Sequence, residues 1–113
     1  MAQSTILNLL AETVFDGTNH VVTGDNFPAS GYYLTNKDLQ TVSWNVTNLV
    51  GLLSIEASLV DDPASDDWFA VHTETFDSTT ATGYTNIQGN FIWIRAQLIG
   101  FTQGVLQHVK VVY

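Results

Sequence analysis

The chain has 113 residues, 45% of them hydrophobic, which is enough for one hydrophobic core and predicts a single domain over residues 1–113. Eleven acidic residues against three basic ones give a net charge of −8, which excludes nucleic-acid binding through Lys and Arg and disfavours anionic membranes. Cysteine is absent, which excludes disulfides, thiol catalysis and Cys-ligated zinc.

The N-terminal segment combines two patterns. The apolar residues of Ser4–Val14 fit one helical turn, but the β-branched residues at its end favour a strand, which is our interpretation. Met1–Thr5 lacks basic residues, and Ile6–Ala11 is too short for the apolar core of a signal peptide. We therefore expect no secretion signal. Residues 1–30 are also a candidate docking or strand-exchange segment.

The central part of the chain has a period of two. Apolar and polar residues alternate in Leu39–Val46 and again in Leu53–Val60, which predicts two half-buried strands. Asn48–Gly51 lies between them and predicts a hairpin turn. Asp77–Asn86 is rich in Ser and Thr and predicts a loop.

The C-terminal part contains two further strand patterns, Phe91–Leu98 and Val105–Tyr113. The first is bulky on both faces, which is typical of a central or covered strand. Trp93 and Arg95 share one of its faces, where the guanidinium can stack on the indole. Turn residues separate the strand patterns at intervals of about 8–12 residues. The fold class we predict is all-β, an antiparallel β-sandwich or jelly-roll-like domain with seven to nine short strands.

Four carboxylates lie close together in the segment between the second and third strand patterns: Asp61, Asp62, Asp66 and Asp67. Carboxylate oxygens at this density can hold Ca²⁺, but the glycine and the ligand spacing of an EF-hand loop are missing. We favour a solvated turn in which the Asp side chains accept hydrogen bonds from local amides. We predict no other cofactor.

The sequence contains no catalytic signature. The three histidines, at 20, 72 and 108, are far apart and have no zinc-ligand spacing. A nucleophile elbow and a phosphate-binding loop are also missing from the sequence. We therefore expect no enzymatic activity.

Aromatic residues are the remaining candidates for a functional surface. Trp44 belongs to an alternating apolar set and is expected in the core. Aromatic residues and Arg are enriched where proteins bind each other. Our candidates for a protein interface are Phe91, Trp93, Arg95, Tyr32, Tyr33 and Trp68. Tyr84 and Trp68 are candidates for binding a glycan.

Several segments occur in an order that resembles a known group of proteins. They are GYY at 31–33, LQTV at 39–42, GLLSIEASL at 51–59, DWFAV at 67–71, GNFIWIRA at 89–96 and FTQGV at 101–105. Over residues 31–113 the chain resembles the small β-sandwich virion structural proteins of tailed bacteriophages, especially marine and cyanobacterial phages. The resemblance implies a virion component made in the host cytoplasm, at a head-decoration, neck, tail or fibre position.

Two hypotheses follow. In the first, the chain is a non-enzymatic virion structural protein that docks on other virion proteins, as a homo-oligomer or on a symmetric lattice. In the second, it is a β-sandwich module that binds a host glycan, with or without Ca²⁺. We expect neither nucleic acid nor membrane as a partner.

Overall fold

The computed structural model describes residues 6–29, 39–89 and 91–113. These residues form a seven-stranded antiparallel sheet, which confirms the all-β prediction. The strands are β1 Ile6–Leu10, β2 Thr13–Val14, β3 Val21–Thr23, β4 Phe27–Pro28, β5 Leu39–Ser58, β6 Phe69–Gln88 and β7 Trp93–Val112. Within the described ranges there is no helix long and apolar enough to span a membrane.

Three long strands determine the architecture. β5 lies in the centre and pairs with β6 on one side and β7 on the other. Each has 20 residues, which at about 3.3 Å per residue corresponds to roughly 66 Å if straight. The longest dimension of the molecule is 41 Å, so the strands must bend.

The bend lies near the middle of each long strand. The register of β5 shifts between Val46 and Gly51 on its β6 side and between Thr47 and Leu52 on its β7 side. Asn48 adopts a φ of 49° at this point, and Gly104 of β7 adopts a φ of 91°. A Cβ on Gly104 would collide with the carbonyl of Asn48, so only glycine fits where the two strands bend together.

The bend also changes which residues face inward. In the first half of β5 the buried residues are Val42, Trp44 and Val46. In the second half they are Leu53, Ile55 and Ala57. The register shift moves the apolar set from even to odd positions and keeps it inside. The two halves of one sheet thus pack face to face as a β-sandwich, with a smallest dimension of 18 Å.

Two local predictions are wrong. Asn48–Gly51 is not a hairpin, because β5 continues through it and pairs with the same neighbours on both sides. Asp77–Asn86 is not a loop but part of β6, where its β-branched Thr residues suit an exposed edge strand. Because turn residues kink the strands without ending them, three strands are long, where short ones were predicted.

The N-terminal segment lies along the free side of β7. β1, β2, β3 and β4 pair with it in succession and form an interrupted fourth strand. The strand interpretation of Ser4–Val14 is confirmed for Ile6–Leu10 and Thr13–Val14. A docking or strand-exchange role for residues 1–30 stays a prediction.

Candidate interaction surface

Apolar and aromatic side chains gather at the end of the sandwich where β5 leads into β6. We call this group the aromatic end cluster; its members are Leu59, Val60, Trp68, Phe69, Phe91 and Trp93. Strand register places them at this end but on both faces of the sheet, because the core residue Ala57 lies opposite Phe69 whereas its neighbour Ser58, which points to the other face, lies opposite Trp93. The rings of Phe69 and Phe91 meet edge to face with their centroids 5.7 Å apart.

Part of this cluster is open to solvent. Leu59 is 61% exposed, Val60 is 41% exposed and Phe69 is 40% exposed. Trp68, Phe91 and Trp93 are half-buried. Single exposed apolar side chains are common on protein surfaces, but the grouping of Leu59, Val60 and Phe69 at one end of the sandwich makes it our candidate interaction surface.

Hydrogen bonds hold the cluster in place. The indole Nε1 of Trp93 donates to the backbone carbonyl of Asp61 at 2.9 Å, which ties the turn to β7. The amide of Val60 donates to the hydroxyl of Ser58 at 3.2 Å. The amide of Ile92 donates to the carbonyl of Ser58 at 3.0 Å. The turn that carries Leu59 and Val60 is therefore anchored to Ile92 and Trp93 at the start of β7.

Arg95 is fixed beside the cluster by two contacts. Its Nε donates to Oε1 of Glu56, the residue opposite it on β5, at 2.8 Å. Its guanidinium lies over the indole of Trp68, 4.3 Å from the ring centroid. Spacing along one strand had suggested Trp93 as the stacking partner. Trp68 takes that role because the long Arg side chain reaches across β5.

The acidic turn folds on itself. The carboxylate of Asp67 accepts a hydrogen bond from the amide of Ala64 at 2.7 Å, as the solvated-turn interpretation expects. Asp61, Asp62 and Asp66 are exposed. Among the residues that the structure describes, no three His, Asp or Glu side chains are grouped so that they could hold a metal ion. Ca²⁺ binding here stays a prediction without geometric support.

The other candidates lie elsewhere. Tyr84 is 70% exposed and lies opposite Ser43, on the other half of the sheet from Trp68. The structure therefore does not bring the two glycan candidates together. Tyr32 and Tyr33 lie outside the described residues. Trp44 is 4% exposed, so its place in the core is confirmed.

The histidines occupy three separate environments. His20 Nδ1 lies 2.9 Å from the carbonyl of Phe101. His72 stacks on Trp44 across the sandwich, with centroids 5.7 Å apart, and His108 lies opposite Asn45. These contacts make them parts of the framework.

Sequence reasoning missed Leu59, Val60 and Phe69 as surface residues. Leu59 continues the apolar alternation of Leu53–Val60 and was therefore expected inside. β5 ends at Ser58, however, so the next two apolar residues leave the sheet. The signal that could have revealed them is their position beside a run of acids, with Leu59 and Val60 directly before it and Phe69 shortly after it.

The chain matches no protein-family model, and no curated protein sequence matches it. Solved structures do share its fold. The SPBc2 prophage-derived protein YomS superposes with a TM-score of 0.62 at 10% identity, covering 97% of this chain and 91% of that one. The K3 cleaved adhesin domain of Lys-gingipain from Porphyromonas gingivalis W83 superposes with a TM-score of 0.53 at 12% identity, covering 96% of this chain and 71% of that one.

A third structure, the family 29 carbohydrate binding module CBM29_1 from Piromyces equi, gives a TM-score of 0.49 at 12% identity, covering 97% of this chain and 91% of that one. At such identities the likeness to YomS and to the adhesin domain shows the fold alone. One neighbour comes from a prophage, which agrees in part with the phage resemblance of the sequence.

Proposed function

We propose that this chain is a non-enzymatic structural component of a phage virion that docks on other virion proteins in many copies. The observation that carries the proposal is the aromatic end cluster, whose apolar side chains are partly exposed at one end of the sandwich. The fold shared with the prophage-derived protein YomS supports the phage assignment.

The cluster has the properties of a protein-binding surface. Its rings supply the large apolar contacts that dominate binding energy at protein interfaces. The hydrogen bond from Trp93 to Asp61 and the Arg95–Glu56 ion pair hold these side chains in place beside the exposed apolar residues. Since little conformational freedom remains to be lost, a partner binds at a lower entropic cost.

The composition suits a virion part as well. Only 12% of the residues are charged, so contacts between copies would rest on apolar and hydrogen-bonding groups. Such contacts resist salt better than exposed ion pairs do. We extend the proposal to a protein made in the host cytoplasm and placed on a symmetric lattice, as a head-decoration, neck, tail or fibre component of a marine or cyanobacterial phage.

The test is incorporation into particles. We expect mass spectrometry of purified particles to detect the chain in many copies per virion, and immunogold labelling to place it on the head or the tail. We expect Leu59→Ser with Phe69→Ser to reduce incorporation at least tenfold. Leu39→Ser with Ile99→Ser, which changes apolar residues that are 50% and 37% exposed and lie outside both the cluster and residues 1–30, is the matched control.

Two results would overturn the proposal. One is the absence of the chain from purified particles of a phage that expresses it. The other is equal incorporation of the Leu59/Phe69 variant and the wild type, since the docking surface would then lie elsewhere.

A second candidate function is glycan binding. It is favoured by the half-buried indole of Trp68, which lies beside the polar pair Arg95 and Glu56, and by the exposed ring of Tyr84. The fold shared with an adhesin domain is compatible with it. A glycan array would test it with the wild type, Trp68→Ala and Tyr84→Ala, each with and without a chelator. A wild type that binds no glycan contradicts it.

A further inference from the structure

We infer that the aromatic end cluster binds a different protein chain, one whose own apolar patch is bordered by Lys and Arg, and not a second copy of this chain. The inference rests on the proposed function, because it names the chemistry of the docking partner. It is carried by the distribution of charge around the cluster.

The cluster is bordered by acids. The acidic turn begins directly after Val60 with Asp61 and ends directly before Trp68 with Asp67. It contributes four carboxylates, those of Asp61, Asp62, Asp66 and Asp67, and three of these residues are exposed. The exposed apolar side chains of the cluster thus share one end of the sandwich with a dense negative charge.

Neither of the two basic residues that the structure describes neutralises this border. Arg95 is already paired with Glu56 at 2.8 Å, and both side chains are less than a fifth exposed, at 18% and 16%. Lys110 lies opposite Ser43, on the other half of β5 from Ser58. In the described ranges, therefore, no base next to the cluster remains to balance the four acids.

This distribution argues against pairing of two copies through the cluster. A two-fold symmetric contact places the same patch on both subunits. Four carboxylates from each copy, eight in all, would then face each other around a small apolar contact. Juxtaposed like charges suppress association, whereas a partner bordered by Lys and Arg is attracted and steered toward the surface.

Defined peptides can test the charge requirement. We would immobilise a synthetic peptide that alternates Leu and Lys, a second that alternates Leu and Glu, and a third that alternates Ser and Lys. We expect the full chain to bind only the Leu/Lys peptide. Raising NaCl from about 50 mM to about 500 mM should weaken binding by no more than about tenfold, because salt screens the exposed charges but leaves the apolar contact in place.

Variants assign the binding to the cluster. Asp61→Asn with Asp66→Asn should weaken binding of the Leu/Lys peptide by roughly three- to tenfold, as expected for two exposed charge pairs. Glu12→Gln with Asp77→Asn removes two exposed charges at other places and should change it less than twofold. Leu59→Ser with Phe69→Ser should abolish binding. Circular dichroism would confirm that each variant is folded.

Each other outcome overturns the inference. Equal binding of the Leu/Lys and Leu/Glu peptides would show that charge does not select the partner. An equal loss in the Glu12/Asp77 variant would show that only net charge matters. Binding of the Ser/Lys peptide would show that the apolar contact is not required. Self-association in sedimentation that disappears in the Leu59/Phe69 variant would identify a second copy as the occupant.

The test separates this inference from the proposed function. If the chain is found in virions but no peptide is selected by charge, the inference about the partner fails and the virion role stands. If the Leu/Lys peptide binds as expected but the chain is absent from particles, the virion role fails and the charge-selective surface stands.

Discussion

The middle of the sandwich and its aromatic end contain the same kinds of residue but use them differently. In the middle, Trp44 is buried, covers Gly83 on the neighbouring strand and stacks on His72. At the end, Trp68 and Trp93 are half-buried and held by polar contacts with Arg95 and Asp61. The difference shows that the chain buries one of these rings in its core and leaves the others partly exposed at the surface.

The largest expected effect comes from replacing one tryptophan in each of these two regions with alanine. Trp44→Ala removes a buried ring and should lower the free energy of unfolding by about 3–5 kcal/mol. Trp68→Ala removes a half-exposed ring and its cation–π contact and should lower it by about 1 kcal/mol. Urea denaturation followed by far-UV circular dichroism measures both. Equal losses would contradict the distinction between the regions.

The close approach of Trp44 to Gly83 provides a second test of the middle region. A Cβ at position 83 would lie 2.7 Å from Nε1 of Trp44, so Gly83→Ala must displace the indole. We expect a loss of about 1–3 kcal/mol in the free energy of unfolding. The neighbouring exposed substitution Thr82→Ala is the control. In the double variant Gly83→Ala with Trp44→Phe, the loss in the free energy of unfolding should be smaller than the sum of the two single losses. The smaller Phe ring leaves room for the new Cβ.

A smaller effect is expected at the end, from the ion pair beside the cluster. Arg95→Met leaves the carboxylate of Glu56, which is only 16% exposed, without its cation. We expect a loss of about 1–2 kcal/mol in the free energy of unfolding, since this charge is partly desolvated. Arg95→Met with Glu56→Gln should recover part of it. A double-mutant cycle with no coupling would show that the pair only positions Trp68.

The smallest effect concerns an exposed turn outside both regions. Hydrogen bonds from the amides of Asn19 and Thr18 lower the pKa of Asp16 from 3.8 to about 2. A lowered pKa in the folded state means that this contribution to stability is complete above pH 4 and lost as the pH falls through 2. Thermal denaturation should therefore show Asp16→Ala less stable than wild type at pH 6 and equally stable below pH 2. A constant difference would contradict this.

The sequence predicts the strands of this fold better than their connections. The alternation reports correctly that Val42, Trp44, Val46, Leu53, Ile55 and Ala57 are buried, because it reflects the two faces of a strand, but it fails at Leu59, where β5 has ended. It does not report whether Asn48–Gly51 reverses the chain or only bends it. A positive φ at Asn48 suits both, and the pairing with β6 and β7 decides between them.

The candidate surface was predictable only in part, because residue types can be read from the sequence whereas strand order cannot. Phe91, Trp93, Arg95 and Trp68 were chosen from residue type, and the structure places them at one end of the sandwich. Their contacts depend on strand order, which local patterns do not contain. The stacking of Arg95 on Trp68 joins residues that are far apart in sequence and separated by β5.

The pairing of β1 with β7 has a consequence for biosynthesis. Ile6 lies opposite Val112, and all four short N-terminal strands pair with β7 alone among the described strands. The N-terminal strands therefore lack their partner strand until β7 has left the ribosome. Their pairing must wait for β7, and contacts of such sequence separation form slowly. A nascent chain arrested before β7 should be fully sensitive to protease, and emergence of the 20 residues of β7 should protect the described strands together.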